Sequence, residues 1–115
     1  MDQSFPPIYR LKSPNEFDLV FKTGTFASDD TLVIHASPTT KGYARLGLSV
    51  SRRTGNAPCR NRWKRLIREA FRKQRLQLPS FDLVIRPRKE ALADHEKIEK
   101  SLLSLVKRIA KRQAR

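Results

Sequence analysis

The sequence is short of acid. Asp and Glu total 11 against 25 Lys and Arg, a formal charge of +14 with both histidines neutral. So large a net charge repels itself in the compact state, so a polyanion is the natural partner. An acidic protein surface or an anionic membrane are the other candidates. Cysteine is nearly absent as well. With Cys59 alone, an intrachain disulfide framework and a cysteine zinc cluster are both excluded. No run approaches the ~20 apolar residues that cross a bilayer. The first ten residues carry Pro6 and Pro7 and lack the apolar segment of a signal peptide, so a cytoplasmic protein is expected. Repeats, low-complexity stretches and long linkers are missing too. What remains, 115 residues with 38% hydrophobic content, suits a single domain over residues 1–115 with one modest core. The sequence leaves open whether residues 1–10 are ordered.

Recognisable catalytic groupings are also wanting. His35 falls in a strand and His95 beside a helix cap. Neither has a partner pattern for metal ligation or for a nucleophile–base pair. Cys59 has basic neighbours that can lower a thiol pKa, but it reads more simply as a small, half-buried thiol at a helix start. Gly55 stands alone and matches no nucleotide-binding loop. Asp29, Asp30, Asp82, Glu90, Asp94, Glu96 and Glu99 form no acid–base pair. The protein itself is therefore read as non-catalytic, with no metal and no cofactor of its own.

The elements are legible in outline. Ser13-Pro14-Asn15-Glu16 is a capping box with proline at the first helical position. Phe17, Val20 and Phe21 then share one helical face, and Gly24 stops the helix. A minor strand over Thr25–Ala27 and a turn at Asp29-Asp30 lead to a strand over Thr31–Ser37. After a turn around Gly42, a second clear strand runs from Ala44 to Arg52. Leu46, Leu48 and Val50 point to one side of it, and Arg45, Gly47, Ser49 and Ser51 to the other. A loop through Gly55 precedes a helix from about Ala57 to Leu76, roughly 30 Å long. Leu83-Val84-Ile85 marks a short strand, continuously apolar and so internal to the sheet. Asp94 caps a last helix to about Lys111, with Ile98, Leu102, Leu105 and Ile109 as its seam. The order α-β-β-β-α-β-α predicts an α+β fold, an α/β sandwich with one small mixed four-stranded sheet.

The charge is concentrated. Residues 52–75 carry ten basic side chains and one acid, Glu69. On a helical wheel, Arg60, Asn61, Lys64, Arg65, Arg68, Arg72 and Arg75 fall within one arc of about 140°, roughly opposite an apolar stripe of Trp63, Ile67 and Ala70. An ordinary exposed helix mixes acids with bases for i,i+4 support, and here only Glu69 is available. Arginine also grips phosphate at two points, whereas lysine is a point charge. A polyphosphate partner is the simplest compensation. A second candidate site lies where Phe17 and Phe21 overhang the small floor of Gly47, Ser49 and Ser51. Both phenylalanines read as core residues, or else as platforms on which unpaired bases stack.

The run Arg60-Asn61-Arg62-Trp63-Lys64-Arg65-Leu66-Ile67-Arg68-Glu69-Ala70-Phe71-Arg72 resembles the Arg-Asn-Arg signature helix of the bacterial ribonuclease P protein subunit. Its approach fits as well, Arg45 to Arg53 and then Gly55-Asn56-Ala57, as do Asn15 to Gly24 and Phe81 to Ile85. The resemblance covers about residues 8–112. Pro58 and Trp63 depart from the family pattern in small ways, and Arg52-Arg53 stands where a lysine pair is common. The resemblance implies a left-handed βαβ crossover, as in the second domain of ribosomal protein S5. It also implies a subunit that binds ribonuclease P RNA and precursor tRNA and assists removal of the 5′ leader. The RNA is then the catalyst, Mg²⁺ sits in the RNA active site, and neither a membrane nor an obligate protein partner is required. Arg60, Asn61, Arg62, Lys64, Arg65, Arg68 and Arg72 become the catalytic-RNA contact, although Arg62 lies off the main arc. Phe17, Phe21, His35, Ser49, Ser51, Arg52 and Arg53 become the leader site. The alternatives are a structural RNA-binding protein of ribosomal type and, more distantly, a peripheral membrane protein with a basic helix.

Overall fold

In the computed structural model, which describes residues 9–113, the first helix α1 (Pro14–Thr23) begins at the expected capping box. The order of residues 1–8 lies outside the described residues. The Ser13 hydroxyl accepts the Glu16 N–H, and the Glu16 carboxylate accepts the Ser13 N–H in return. Gly24 closes the helix in an extended conformation, its N–H on the Val20 carbonyl. It is needed there for space: a Cβ would come within 2.5 Å of the Val20 carbonyl oxygen and 2.6 Å of that of Ala36.

Strands β1 (Thr25–Ser28), β2 (Leu32–Pro38), β3 (Arg45–Leu48) and β4 (Phe81–Pro87) form one sheet in the order β1-β2-β4-β3. The pairs β1–β2 and β2–β4 are antiparallel and β3–β4 is parallel, so the sheet is mixed. The apolar strand β4 is internal, as its composition predicts. Arg10 extends the far edge by a bridge to Leu46. Helix α2 (Ala57–Gln74) crosses between β3 and β4, and α3 (His95–Gln113) follows β4. Asp94 accepts the N–H groups of Glu96 and Lys97, which fixes the start of α3.

The sheet has two faces of different character. Leu32, Ile34, Ala36, Leu46, Leu83 and Ile85 meet Trp63, Ile67, Ala70 and Phe71 of α2 and Leu102, Leu105 and Ile109 of α3 in the main core. On the opposite face, Leu11, Val20 and Val84 form a small second cluster with Phe17 packed against it. Burying this apolar surface is the main driving force for the fold. Among the described residues, α1 is the helix that lies over that second face, with Leu11 beside it.

Two polar ties hold the frame. Arg45 donates from Nε and Nη2 to the two carboxylate oxygens of Asp82, each at 2.8 Å, and from Nη1 to Glu16 Oε2 at 3.1 Å. A capping residue of α1 is thereby fixed to the sheet. The Lys12 and Ser13 N–H groups, with the Arg45 guanidinium, hold the Glu16 carboxyl below its ordinary value, and Asp82 raises that of Arg45. Asp29 accepts the Thr31 and Leu32 N–H groups and the Ser101 hydroxyl, tying the β1–β2 turn to α3. Burial opposes its ionisation, but these donors outweigh burial and lower its pKa.

Strand β3 and helix α2 both end before the expected residue, while α3 runs on to Gln113. Strand β3 ends at Leu48 rather than Arg52. Only the Ser49 N–H continues the ladder, on the Ile85 carbonyl. The Ser51 hydroxyl then accepts the Arg53 N–H and starts a 3-10 turn over Arg52–Thr54. A local side-chain bond thus outcompetes the ladder. Helix α2 stops at Gln74 rather than Leu76, and a 3-10 turn over Arg75–Gln77 tightens its end. At its start Asn56 caps Cys59 N–H, and Pro58 fits in the first turn where no N–H is missed.

Candidate nucleic-acid interface

Helix α2 sorts its side chains as the wheel predicts. Trp63, Leu66, Ile67, Ala70 and Phe71 are buried. Arg65, Arg68 and Arg72 are exposed, and Arg60 and Lys64 are partly so. Among the described residues, none of these five basic side chains is ion-paired with an acid; the ion pairs join Arg45 to Glu16 and Asp82, and Lys73 and His95 to Glu99. Asn61 is exposed on the same ridge. Unpaired like charges at i,i+3 and i,i+4 destabilise a helix. The buried face overcomes that repulsion and holds the guanidinium groups outward.

Two arginines near this ridge have structural partners. Arg62, off the main arc, donates to the Ala93 carbonyl just before α3. Arg75, placed on the arc by the wheel, lies over the Tyr9 ring at 4.4 Å and donates to its hydroxyl at 3.1 Å. Helix geometry alone could not reveal this, because Tyr9 lies sixty-six residues away in sequence. Cys59 is a free thiol whose Sγ lies 3.7 Å from the Thr54 carbonyl oxygen, a packing role in the loop.

The opposite face carries the second candidate site. The strand register lines up Phe26, His35, Val84 and Gly47 in one row on this face. The neighbouring row holds Ser28, Val33 and Arg86, and the strand continues toward Ser49 beside it. Helix α1 covers the Gly47–Val84 end of the first row. Phe17 lies directly over Gly47, where a Cβ would come within 2.8 Å of its ring. Phe17 is therefore mainly a wall of the second cluster. Phe21, 44% exposed, meets His35 edge-on at 4.9 Å between ring centroids. Phe26 stacks on the other side of His35 at 5.5 Å and is 57% exposed.

The result is a shallow aromatic slot, Phe21–His35–Phe26, whose rings touch one another and whose two phenylalanines face solvent beside α1 and β1. Burial and the nearby Arg86 cation push the His35 pKa down, so its imidazole is neutral at neutral pH. A neutral ring stacks without the desolvation penalty of a charge. Its Nδ1 is buried without a hydrogen-bond partner among the described residues. Ser49 is half-buried beyond the end of β3. Ser51 is committed to capping the 3-10 turn, while Arg52 and Arg53 stand exposed on it. Phe26 and Arg86 were not singled out in the sequence. Their signal was there in strand alternation: each is an outward residue beside inward Ala27 or Ile85.

A basic ridge that forms no ion pair among the described residues, and an exposed aromatic slot flanked by arginine on the other side of the sheet, define a small RNA-binding protein. The comparisons narrow the class. The family model described as Ribonuclease P matches residues 5–110. The ribonuclease P protein component of Brevibacillus brevis is 45% identical over 105 residues, covering 87% of this chain and 82% of that protein. That of Thermotoga maritima is 36% identical over 115 residues, covering 95% and 98%. The solved Staphylococcus aureus RNase P protein superposes with a TM-score of 0.78 at 32% identity, covering 90% of this chain and 95% of that one. The T. maritima RNase P protein gives 0.78 at 36%, covering 87% and 96%. The chain belongs to the ribonuclease P protein family, as a protein component of that enzyme. The ribosomal-type alternative is thereby set aside.

Proposed function

We propose that this subunit grips the catalytic RNA of ribonuclease P with the α2 ridge and holds the single-stranded 5′ leader of precursor tRNA in the Phe21–His35–Phe26 slot. The observation that carries the reading is the row of arginines on α2, led by Arg65 and Arg68, exposed and without acidic partners among the described residues. Each guanidinium can take two phosphate oxygens at once. The ridge is anchored by a buried stripe, so it offers its charges at helical spacing to a folded polyphosphate. The slot works differently. Its rings offer faces to unpaired bases and supply no dense set of base-edge donors, so binding is sequence-tolerant. Exposed Arg86 and the Arg52-Arg53 turn add charge for the leader backbone.

On this reading the protein does no bond-breaking. Among the described residues, no group of three or more His, Cys, Asp or Glu side chains could hold a metal ion. The Mg²⁺ that activates the attacking water belongs to the RNA, and the protein binds, orients and neutralises. It acts in the cytoplasm, without an obligate protein partner. Among the described residues, no helix is long and apolar enough to cross a membrane. The test is reconstitution with a bacterial ribonuclease P RNA, assaying precursor cleavage at low Mg²⁺. The protein should restore cleavage that the RNA alone performs poorly and should cleave nothing by itself. Hydrolysis by protein alone, or no effect on the RNA, would overturn the proposal.

A further inference from the structure

The C-terminal half of the fold carries a second basic surface that the α2 ridge and the slot leave unused. On α3 the wheel gathers Lys97, Lys100, Lys107, Arg108 and Lys111 on the arc opposite the buried residues Ile98, Leu102, Leu105 and Ile109. Small Ser104 lies between them, and Leu103 and Ala110 line the same shallow groove. From Lys100 to Lys111 the stripe is about 17 Å long at 1.5 Å per residue. The acids of α3 are Glu96, exposed one turn before Lys100, and Glu99, which is paired with Lys73 and His95 on the α2 side; none follows Glu99. The helix dipole favours cations in the last turn and so accounts for Lys111 and Arg112. It disfavours Lys97 in the first turn, and that residue needs another reason.

The stripe also runs into the slot. Arg108 donates to the Ser28 carbonyl and Arg112 to the Phe26 carbonyl, both on the outer edge of β1. The side chain of Phe26 is one wall of the slot. Arg88 joins the same edge through the Ser28 hydroxyl. A continuous basic path therefore leads from the aromatic slot, over the edge of β1, onto the lysines of α3. Lysines suit such a path, as flexible point charges that track a backbone without demanding fixed phosphate geometry.

We infer that the α3 stripe is a second subsite for the single-stranded leader, binding the phosphates of nucleotides that extend beyond those held in the slot. The inference rests on the slot being the leader site. It commits to leader backbone, rather than the folded RNA, because of that continuity and because lysine-lined, sequence-blind grooves suit single strands.

The test uses the reconstituted holoenzyme with Lys100→Gln, Lys107→Gln and Lys111→Gln combined. All three side chains are exposed and make no hydrogen bond among the described residues, so the fold should be kept; its melting temperature is the control. Binding is measured for mature tRNA, for precursor with a leader just long enough to fill the slot, and for precursor with a longer leader. In the wild type, lengthening the leader should tighten binding and steepen the salt dependence. The variant should lose that gain, with up to ~0.7 log units of salt slope removed per lysine, while the short leader and mature tRNA bind as before. A variant that keeps the full gain from the longer leader would overturn the inference and leave the slot intact. A uniform loss across all three RNAs would overturn it too, by assigning the stripe to the folded RNA. If leaders of either length added nothing in the wild type, the failure would lie in the leader reading itself.

Discussion

Gly24→Ala tests whether α1 is seated on the sheet as closely as the slot requires. The Gly24 backbone is extended (φ −87°, ψ 168°), a conformation any residue adopts, so the perturbation is purely one of space. The added methyl would meet two backbone carbonyl oxygens, of Val20 at 2.5 Å and Ala36 at 2.6 Å. Neither can swing aside as a side chain could, and ordinary carbon–oxygen contact needs nearly an ångström more. The end of α1 must therefore lift from β2, straining the Gly24–Val20 hydrogen bond and the Thr23–Ser37 hydroxyl contact. Overpacking of this kind costs about 1–3 kcal/mol, partly offset by ~0.4–1 kcal/mol from a stiffer unfolded chain. A net loss near 1–2 kcal/mol lowers Tm by roughly 4–8 °C per kcal/mol in a domain of about this size. Because α1 carries Phe21, leader affinity in the holoenzyme should fall as well, below the unfolding temperature and with RNA binding by α2 unchanged. Thermal unfolding followed by circular dichroism, with precursor binding alongside, reads both effects. An unaltered Tm and unaltered leader affinity would refute the close seating of α1.

The remaining predictions concern single groups. Phe21→Ala should weaken binding of precursor, but not of mature tRNA, by about 1–3 kcal/mol for a lost stacking platform, with little change in Tm; Phe17→Ala should lower Tm first, as calorimetry will tell. Arg62→Ala should leave the salt dependence of RNA binding unchanged and cost at most about 1 kcal/mol of stability through its bond to Ala93, measured by urea titration. Acid should destabilise the fold through Glu16 and Asp29. Both have folded-state pKa values below their ordinary 4.5 and 3.8, so the stability they add is present above those values and is lost as pH falls through the lowered ones. Glu16→Gln with Asp29→Asn should make Tm lower at neutral pH and less dependent on pH below about 4.5; a parallel fall in both proteins would count against these ties.

The elements were legible because each is written locally. The capping box at Ser13 and Glu16, the apolar stripe of α2 and the apolar run of β4 are short-range signals, and each lies where it was read. The arginine ridge was equally legible, since a buried stripe at helical spacing dictates which residues face out. What the sequence hid was long-range. Arg75 reads as ridge until Tyr9 arrives beneath it. Phe17 and Phe21 look equivalent on a wheel, and only the seat of α1 over Gly47 separates a wall from an exposed ring. Phe26 became part of the slot through its register with His35, a pairing no local pattern encodes. The end of β3 was misread for a different reason, because the Ser51 hydroxyl offers a cap that competes with the ladder.

The most direct measurement of the central claim is the salt dependence of binding to ribonuclease P RNA for wild-type protein and for the Arg65→Ala, Arg68→Ala double variant. Loss of two phosphate contacts should weaken binding and reduce the slope of log K against log salt by roughly 0.7–0.9 per contact. A double variant that binds that RNA with the wild-type slope would remove α2 from the interface.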